Sequence, residues 1–124
     1  MPWNYTIDKE RRLIVSKGWD RLTFAEAAAH EENLESDPDF DQELNQLIGL
    51  TGVTAFDVST VEAKVLSTRL VFSPKSRRAL VASNPQVFGM GRLVESYHII
   101  GKARDETRVF YDLDEAMKWL GYKT

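Results

Sequence analysis

Cysteine is absent from the 124 residues, which excludes disulfides, thiolate nucleophiles and cysteine metal sites together. Histidine is nearly as scarce, with two in the chain. Positive charge is in deficit: 16 Lys and Arg stand against 19 Asp and Glu, a formal net charge of -3. Nucleic acid is therefore not an expected partner, because binding phosphates needs a net basic face that releases counterions. No segment approaches the roughly 20 apolar residues of a membrane-spanning helix. The start "MPWNYTIDKE" has no basic stretch leading into an apolar run, so the expectation is a cytoplasmic protein. Repeats, low-complexity tracts and long linkers are missing too. What is present is the balance of a globular protein, 43% hydrophobic and 28% charged, and its length suits one domain over 1–124.

The turn signals divide this chain into alternating elements. "WNYTI" (3–7) and "RLIVSKGW" (12–19) alternate apolar and polar residues around the charged turn "DKER", which predicts a β-hairpin. In "TFAEAAAHEENLESDPDF", Thr23 and Glu26 have capping-box spacing, and Phe24, Ala27, Ala28, Glu31 and Leu34 follow the helical repeat up to a stop at Pro38. "LNQLIGL" (44–50) reads as a strand covered on both faces. Ser59 and Glu62 repeat the cap spacing and open a second helix, with Val61, Val65, Leu66 and Arg69 at helical intervals and an end near Ser73 and Pro74. "RALVAS" (78–83) is a further strand. "SNPQ" then opens a long third helix with Val87, Met90, Val94, Tyr97 and Ile100 or Gly101 on one stripe. "TRVFYD" (107–112) is the last strand, and a final helix runs from a cap at Asp112, with Glu115, to Gly121. Strands alternating with helices in this order predict an α/β fold: a five-stranded mixed, mostly parallel sheet, an antiparallel opening hairpin and about four helices.

Few residues could carry chemistry. A metalloprotease helix around His30 would need a second histidine where Leu34 stands. His98 lies in the third helix among Tyr97, Ile99 and Ile100; both histidines read as structural. No G-x-S-x-G elbow occurs, and "GMGR" (89–92) lacks the lysine of a P-loop and the third glycine of a dinucleotide fingerprint. No catalytic residue, metal ligand or cofactor is expected, and the chain reads as no enzyme. The basic run "PKSRR" (74–78) reads as a solvated loop. Glycines inside a helix cost on the order of 1 kcal/mol against alanine, so Gly89 and Gly91 ask for close packing or room for a small apolar ligand. Phe88, Gly89, Met90, Gly91 and Tyr97 are thus a candidate ligand or partner face. Asp57, Val58, Ser59 and Thr60 sit where a strand gives way to a helix, at the carboxyl end of a sheet, the usual place for a site. Ser59 there is either a helix cap or a phosphoryl acceptor favoured by the helix N-terminus.

The order of elements, and "LIGLTGVTAFDVST" in particular, resembles the STAS domain family, the anti-sigma-factor antagonists of the SpoIIAA-like fold. "MPWNYTIDKERRLIVSKGW", "DPDFDQELNQLIGLTGVT", "FSPKSRRALVAS", "VFGMGR" and "RVFYDLDEAMKWLG" extend the likeness to a single-domain, SpoIIAA-like branch over nearly the whole chain. In that family a strand of the form L-x-x-L-x-x-x-D-S-S/T-G leads into the second helix, and the first serine is phosphorylated by an anti-sigma kinase. Asp57 matches the family's aspartate, Val58 takes the phosphorylated serine's place, Ser59 matches the next residue, and Thr60 replaces the glycine. Either the acceptor has moved to Ser59 or Thr60, or this branch does not use phosphorylation there. The second reading is favoured, since one residue in a helical turn rotates a side chain by about 100°.

The resemblance implies a non-enzymatic regulatory or protein-interaction module. Its partner would be a protein, either an anti-sigma-type regulator or a second copy in a homodimer. The alternative is a small-molecule or lipid-binding carrier with a STAS/CRAL-TRIO-like fold.

Overall fold

Apolar and polar residues alternate through the first 23 positions, and they form the expected antiparallel pair, β1 (Trp3–Asp8) and β2 (Leu13–Thr23), in register from Trp3↔Gly18 to Asp8↔Leu13. The structure is a computed structural model that describes residues 3–67, 72–100 and 106–122; of residues 67 and 97–100 it describes the backbone alone. Helix α1 (Phe24–Glu35) follows, then β3 (Asn45–Asp57), α2 (Thr60–Ser67), β4 (Arg77–Val81), α3 (Pro85–Ile100), β5 (Glu106–Phe110) and α4 (Leu113–Leu120). The five strands lie in chain order in one sheet. All pairs after the opening hairpin are parallel, so the sheet is the mixed, mostly parallel one that the sequence predicts.

Helix starts follow the cap residues. Thr23 Oγ1 accepts from Glu26 N, Ser59 Oγ from Glu62 N, Asn84 Oδ1 from Gln86 N and Asp112 Oδ1 from Asp114 N. Each side chain meets one of the backbone donors that a helix N-terminus leaves without an internal partner. At the other end of α4, Gly121 takes φ 95°, a left-handed conformation that glycine adopts without a Cβ clash.

Several element boundaries differ from the sequence reading. α1 ends at Glu35, because Ser36 turns its hydroxyl back onto the carbonyl of Glu32 before Pro38 is reached. β5 stops at Phe110, and Tyr111 and Asp112 form the turn into α4. The expected end of α2 near Ser73 falls past residues 68–71, which lie outside the described residues along with Gly101; Arg69 is among them. Most consequential, β2 and β3 run on to Thr23 and Asp57. β4 pairs with β3 only as far as Gly49↔Val81, so more than half of β3, from Leu50 onward, has β2 as its strand partner on one side only, ending at Thr23↔Asp57. Val53, Thr54 and Phe56 supply the β-branched and aromatic side chains that suit such a strand.

Strand alternation sorts the core into two layers. Leu13, Leu47, Ala79 and Val81 point to one face and pack on Ala116, Met117 and Leu120 of α4. The other face carries α1, α2 and α3. Its strands place Ile48 and Leu50 beneath these helices, but also Ser16, Gln46, Arg78 and Thr107.

Candidate functional site

The projecting ends of β2 and β3 carry the residues singled out at the head of α2. Because Thr23 is paired with Asp57, the starts of α1 and α2 lie side by side at the carboxyl edge of the sheet. Asp57 is ion-paired with Arg21, and both side chains are largely exposed, so screening keeps the pair weak. Val58 turns inward. It is 7% exposed and packs with Ala27, Ala63 and Leu66. Ser59 caps α2 reciprocally: its hydroxyl accepts from Glu62 N at 3.1 Å while Ser59 N donates to Glu62 Oε1 at 2.9 Å. Thr60 is exposed at the first helical position. On the outer side of α2, Val61 is 72% exposed and Val65 is 47% exposed, one helical turn apart.

The face proposed on α3 is distributed over several surroundings. Phe88 stacks on Tyr111 with ring centroids 3.7 Å apart and 3° between the planes. Gly89 faces open space. Met90 packs on the cluster that holds Val58. Gly91 lies against β5, where a Cβ would come within 2.9 Å of Val109; close packing accounts for this glycine. The side chain of Tyr97 lies outside the described residues, as do those of His98, Ile99 and Ile100. At the same edge Val109 N donates to Glu95 Oε2 at 3.0 Å, which occupies a donor that an edge strand would otherwise offer to another chain.

A second constellation lies under α1, built from residues the sequence reading did not assign to a site. Parallel register sets Ile14, Gln46, Arg78 and Thr107 abreast on β2 to β5. Ser16 Oγ accepts from Gln46 Nε2 at 2.9 Å and lies 2.9 Å from Nε2 of His30. Gln46 Oε1 accepts from Arg78 Nε at 3.1 Å. The Arg78 guanidinium sits 4.6 Å from the Phe72 ring, with Nη2 3.8 Å from Glu31 Oε1. Ser16, Gln46 and His30 are all buried. The His30 ring stacks on Trp3 at 4.6 Å and meets the edge of Tyr5. Burial, and then the positive charge of Arg78, lower its pKa from 6.5 to about 4, so it is neutral at pH 7. The constellation places His30 in a buried, hydrogen-bonded setting. It corrects the solvated reading of "PKSRR" for two positions: Ser76 is fully buried and donates to Leu44 O at 2.7 Å, while the Arg78 side chain is only 12% exposed. "LNQLIGL" is a strand covered on both faces, as expected, and Gln46 brings a polar group into that covered interior.

This row forms part of the wall of a cavity of about 80 Å³ between the sheet and the three helices. Ile48, Leu50 and Leu80 line it from the sheet, with Leu66 and Val94 above. The only sequence signal was that Gln46 and Arg78 share a strand face with apolar residues, a period-two break that one polar residue per strand leaves ambiguous.

Among solved structures, the chain is similar to an uncharacterised protein of the DUF3478 family from Shewanella loihica PV-4, described as having a SpoIIAA-like fold. The two share 18% sequence identity with a TM-score of 0.62, over 95% of this chain and 93% of that one. The fold is therefore SpoIIAA-like, as the resemblance to STAS domains implies. No protein-family model matches the sequence, and no curated protein matches it.

Proposed function

We propose that the chain is a non-enzymatic protein-interaction module of STAS type that works without a serine phospho-switch at the head of α2. The observation that carries this reading is the placement of Val58. Where STAS domains are expected to offer a phosphoryl acceptor, this chain has an apolar side chain packed into its core, and the neighbouring hydroxyl of Ser59 is committed to a cap. What the loop does offer outward is an exposed charge pair, Arg21 and Asp57, beside the exposed valines of α2. A mixed apolar and charged patch of this kind suits a protein surface, either a regulator of the anti-sigma type or a second copy of the chain.

The test is capture of partners by tagged protein in the cells that naturally make it, with Val61→Arg and Asp57→Arg compared against Leu113→Arg on the opposite layer. A partner kept by the wild type and the control but lost from both loop variants supports the reading; identical capture by all four removes it. Phosphate found on Ser59 or Thr60 by mass spectrometry of the same material would overturn the switch-free mechanism. Light scattering distinguishes a second copy from a different partner.

The cavity beneath α1 favours one further reading, a small-molecule carrier. Its volume, about 80 Å³, is near half of the roughly 150 Å³ that admits benzene. A ligand portion of a few heavy atoms fits; a lipid chain does not without movement of the helices.

A further inference from the structure

The buried polar atoms on the cavity wall that have no hydrogen-bond partner among the described residues include Nε1 of Trp3 and Oγ1 of Thr107. An indole N–H can only donate, and a hydroxyl can donate or accept. Leaving such a group unmet inside a protein costs about 1–3 kcal/mol, whereas an apolar residue of the same shape costs nothing of the kind. Phenylalanine and valine would serve these two positions if packing were their whole role. The Trp3 ring is held in place by its stack on His30, so the direction of its N–H is set by the fold.

The charges around the cavity constrain what would meet these donors. Arg78 faces Glu31 and is bonded to Gln46, His30 is neutral at pH 7, and the remaining wall is mainly apolar. One positive and one negative charge already offset each other. A charged ligand would enter a low-dielectric space with no further counter-charge among the described residues, at a cost of several kcal/mol. A neutral acceptor oxygen meets the orphan donors without that cost.

We propose that this cavity binds a small uncharged molecule, apolar in its body, whose oxygen accepts a hydrogen bond from the indole N–H of Trp3 or the hydroxyl of Thr107. The proposal rests on the carrier reading and adds the chemistry of recognition to it. Ketones, esters and ethers are the matching class; carboxylates are not.

The experiment uses 2-butanone, its hydrocarbon isostere 2-methyl-1-butene and the anion butyrate as probes of the full chain. Binding is followed through the three indole N–H signals in proton–nitrogen correlation spectra, with the Trp3 signal assigned by its loss in Trp3→Phe. The expected result is a saturable shift on adding 2-butanone that Trp19 and Trp119 do not share, with butyrate silent. In the double variant Trp3→Phe/Thr107→Val, followed by proton saturation transfer from protein to probe, 2-butanone should bind roughly tenfold more weakly, the worth of one hydrogen bond of about 1.4 kcal/mol. Affinity for 2-methyl-1-butene should stay unchanged. Thr107→Val alone, which keeps shape and fold, guards against a double variant that does not fold: if the Trp3 signal does not move when 2-butanone binds, Thr107 is the donor, and this variant must then show the loss. Equal binding of 2-butanone by all variants would overturn oxygen recognition while leaving the carrier reading intact. Tighter binding of butyrate would overturn the neutrality of the ligand. No saturable binding of any probe would overturn both the recognition and the carrier reading.

Discussion

The two faces of the sheet are built from the same strands but differ in the polar side chains they bury. Toward α4, Leu13, Leu47, Ala79 and Val81 meet Ala116, Met117 and Leu120 in an apolar layer. Toward α1, α2 and α3, the same strands present Ser16, Gln46 and Arg78, bonded into a row that includes His30, and beside them Thr107, whose hydroxyl has no hydrogen-bond partner among the described residues. An apolar layer gains stability roughly in proportion to the area removed from water. A buried polar row gains little net stability, because its bonds replace bonds to water. Both faces bury apolar side chains, but the face toward α1, α2 and α3 also retains a polarity that stability alone does not require. That difference is why the second face, with its cavity and its adjoining loop, is where function is sought.

Deleting packing and deleting polarity should separate the faces most sharply. Leu13→Ala, on the apolar side, should lower the unfolding free energy in urea by about 3–4 kcal/mol, with no second substitution restoring it simply. Arg78→Leu should cost about 3 kcal/mol, since it leaves buried Gln46 Oε1 without its donor and takes the cation away from the half-buried Glu31. Combining Arg78→Leu with Glu31→Leu and Gln46→Leu should recover most of that loss, because an apolar set of similar volume needs no partners. If the triple variant is no better than Arg78→Leu alone, the polar row is a stability element, and the contrast between the faces is lost.

Acid should act on one face only. The pKa of His30 falls from 6.5 in the unfolded chain to about 4 in the fold, so between these values the unfolded chain binds the proton that the fold refuses. Stability should thus be full above pH 6.5 and decline by about 2–3 kcal/mol as the pH falls to 4.5. The carboxyls of Asp8, Asp37 and Asp41 are held below 3.8 by hydrogen bonds, and their stabilisation is lost only at lower pH. Urea unfolding at pH 7, 5.5 and 4.5 should show the decline in the wild type and a nearly flat profile in His30→Gln.

The two faces also differed in how far the sequence revealed them. Caps act within three residues, so Thr23, Ser59, Asn84 and Asp112 could be read locally, and all four accept the bonds expected of them. The sheet followed from the alternation of elements. The row could not be read in this way, because its bonds join residues 14 to 32 positions apart and exist only once strand register sets them abreast. Arg78, three residues beyond Lys75 in a basic run, looked like a solvated charge for the same reason. At the loop, the residues were legible but the direction of Val58 was not, since burial there depends on α1 and α2 closing over it.

Val58 links the loop to the layer of helices, and placing a serine there tests whether a hydroxyl is tolerated. Val58→Ser would bury a hydroxyl among Ala27, Ala63 and Leu66, and the loss should be about 2 kcal/mol in urea unfolding. A neutral effect would mean that the position opens to solvent, and a phosphoryl acceptor could then be placed there by one substitution.

The smallest effect discriminates between the two roles of Ser59. As an N-cap, Ser59→Ala should cost about 1 kcal/mol, and Ser59→Asp should cost almost nothing, because aspartate accepts from the same backbone donors and suits the positive end of the helix. Glu62, the other half of the box, sets a limit on that second gain, since two carboxylates then share one helix start. A residue whose replacement by a permanent negative charge leaves stability unchanged can still signal by charge, but only to a partner outside the chain. Loss of the partner from Ser59→Asp, with its unfolding curve superimposed on that of the wild type, would therefore show that the α2 head discriminates charge even though its cap does not. Retention would leave the apolar pair Val61 and Val65 as the part of this surface that the partner reads.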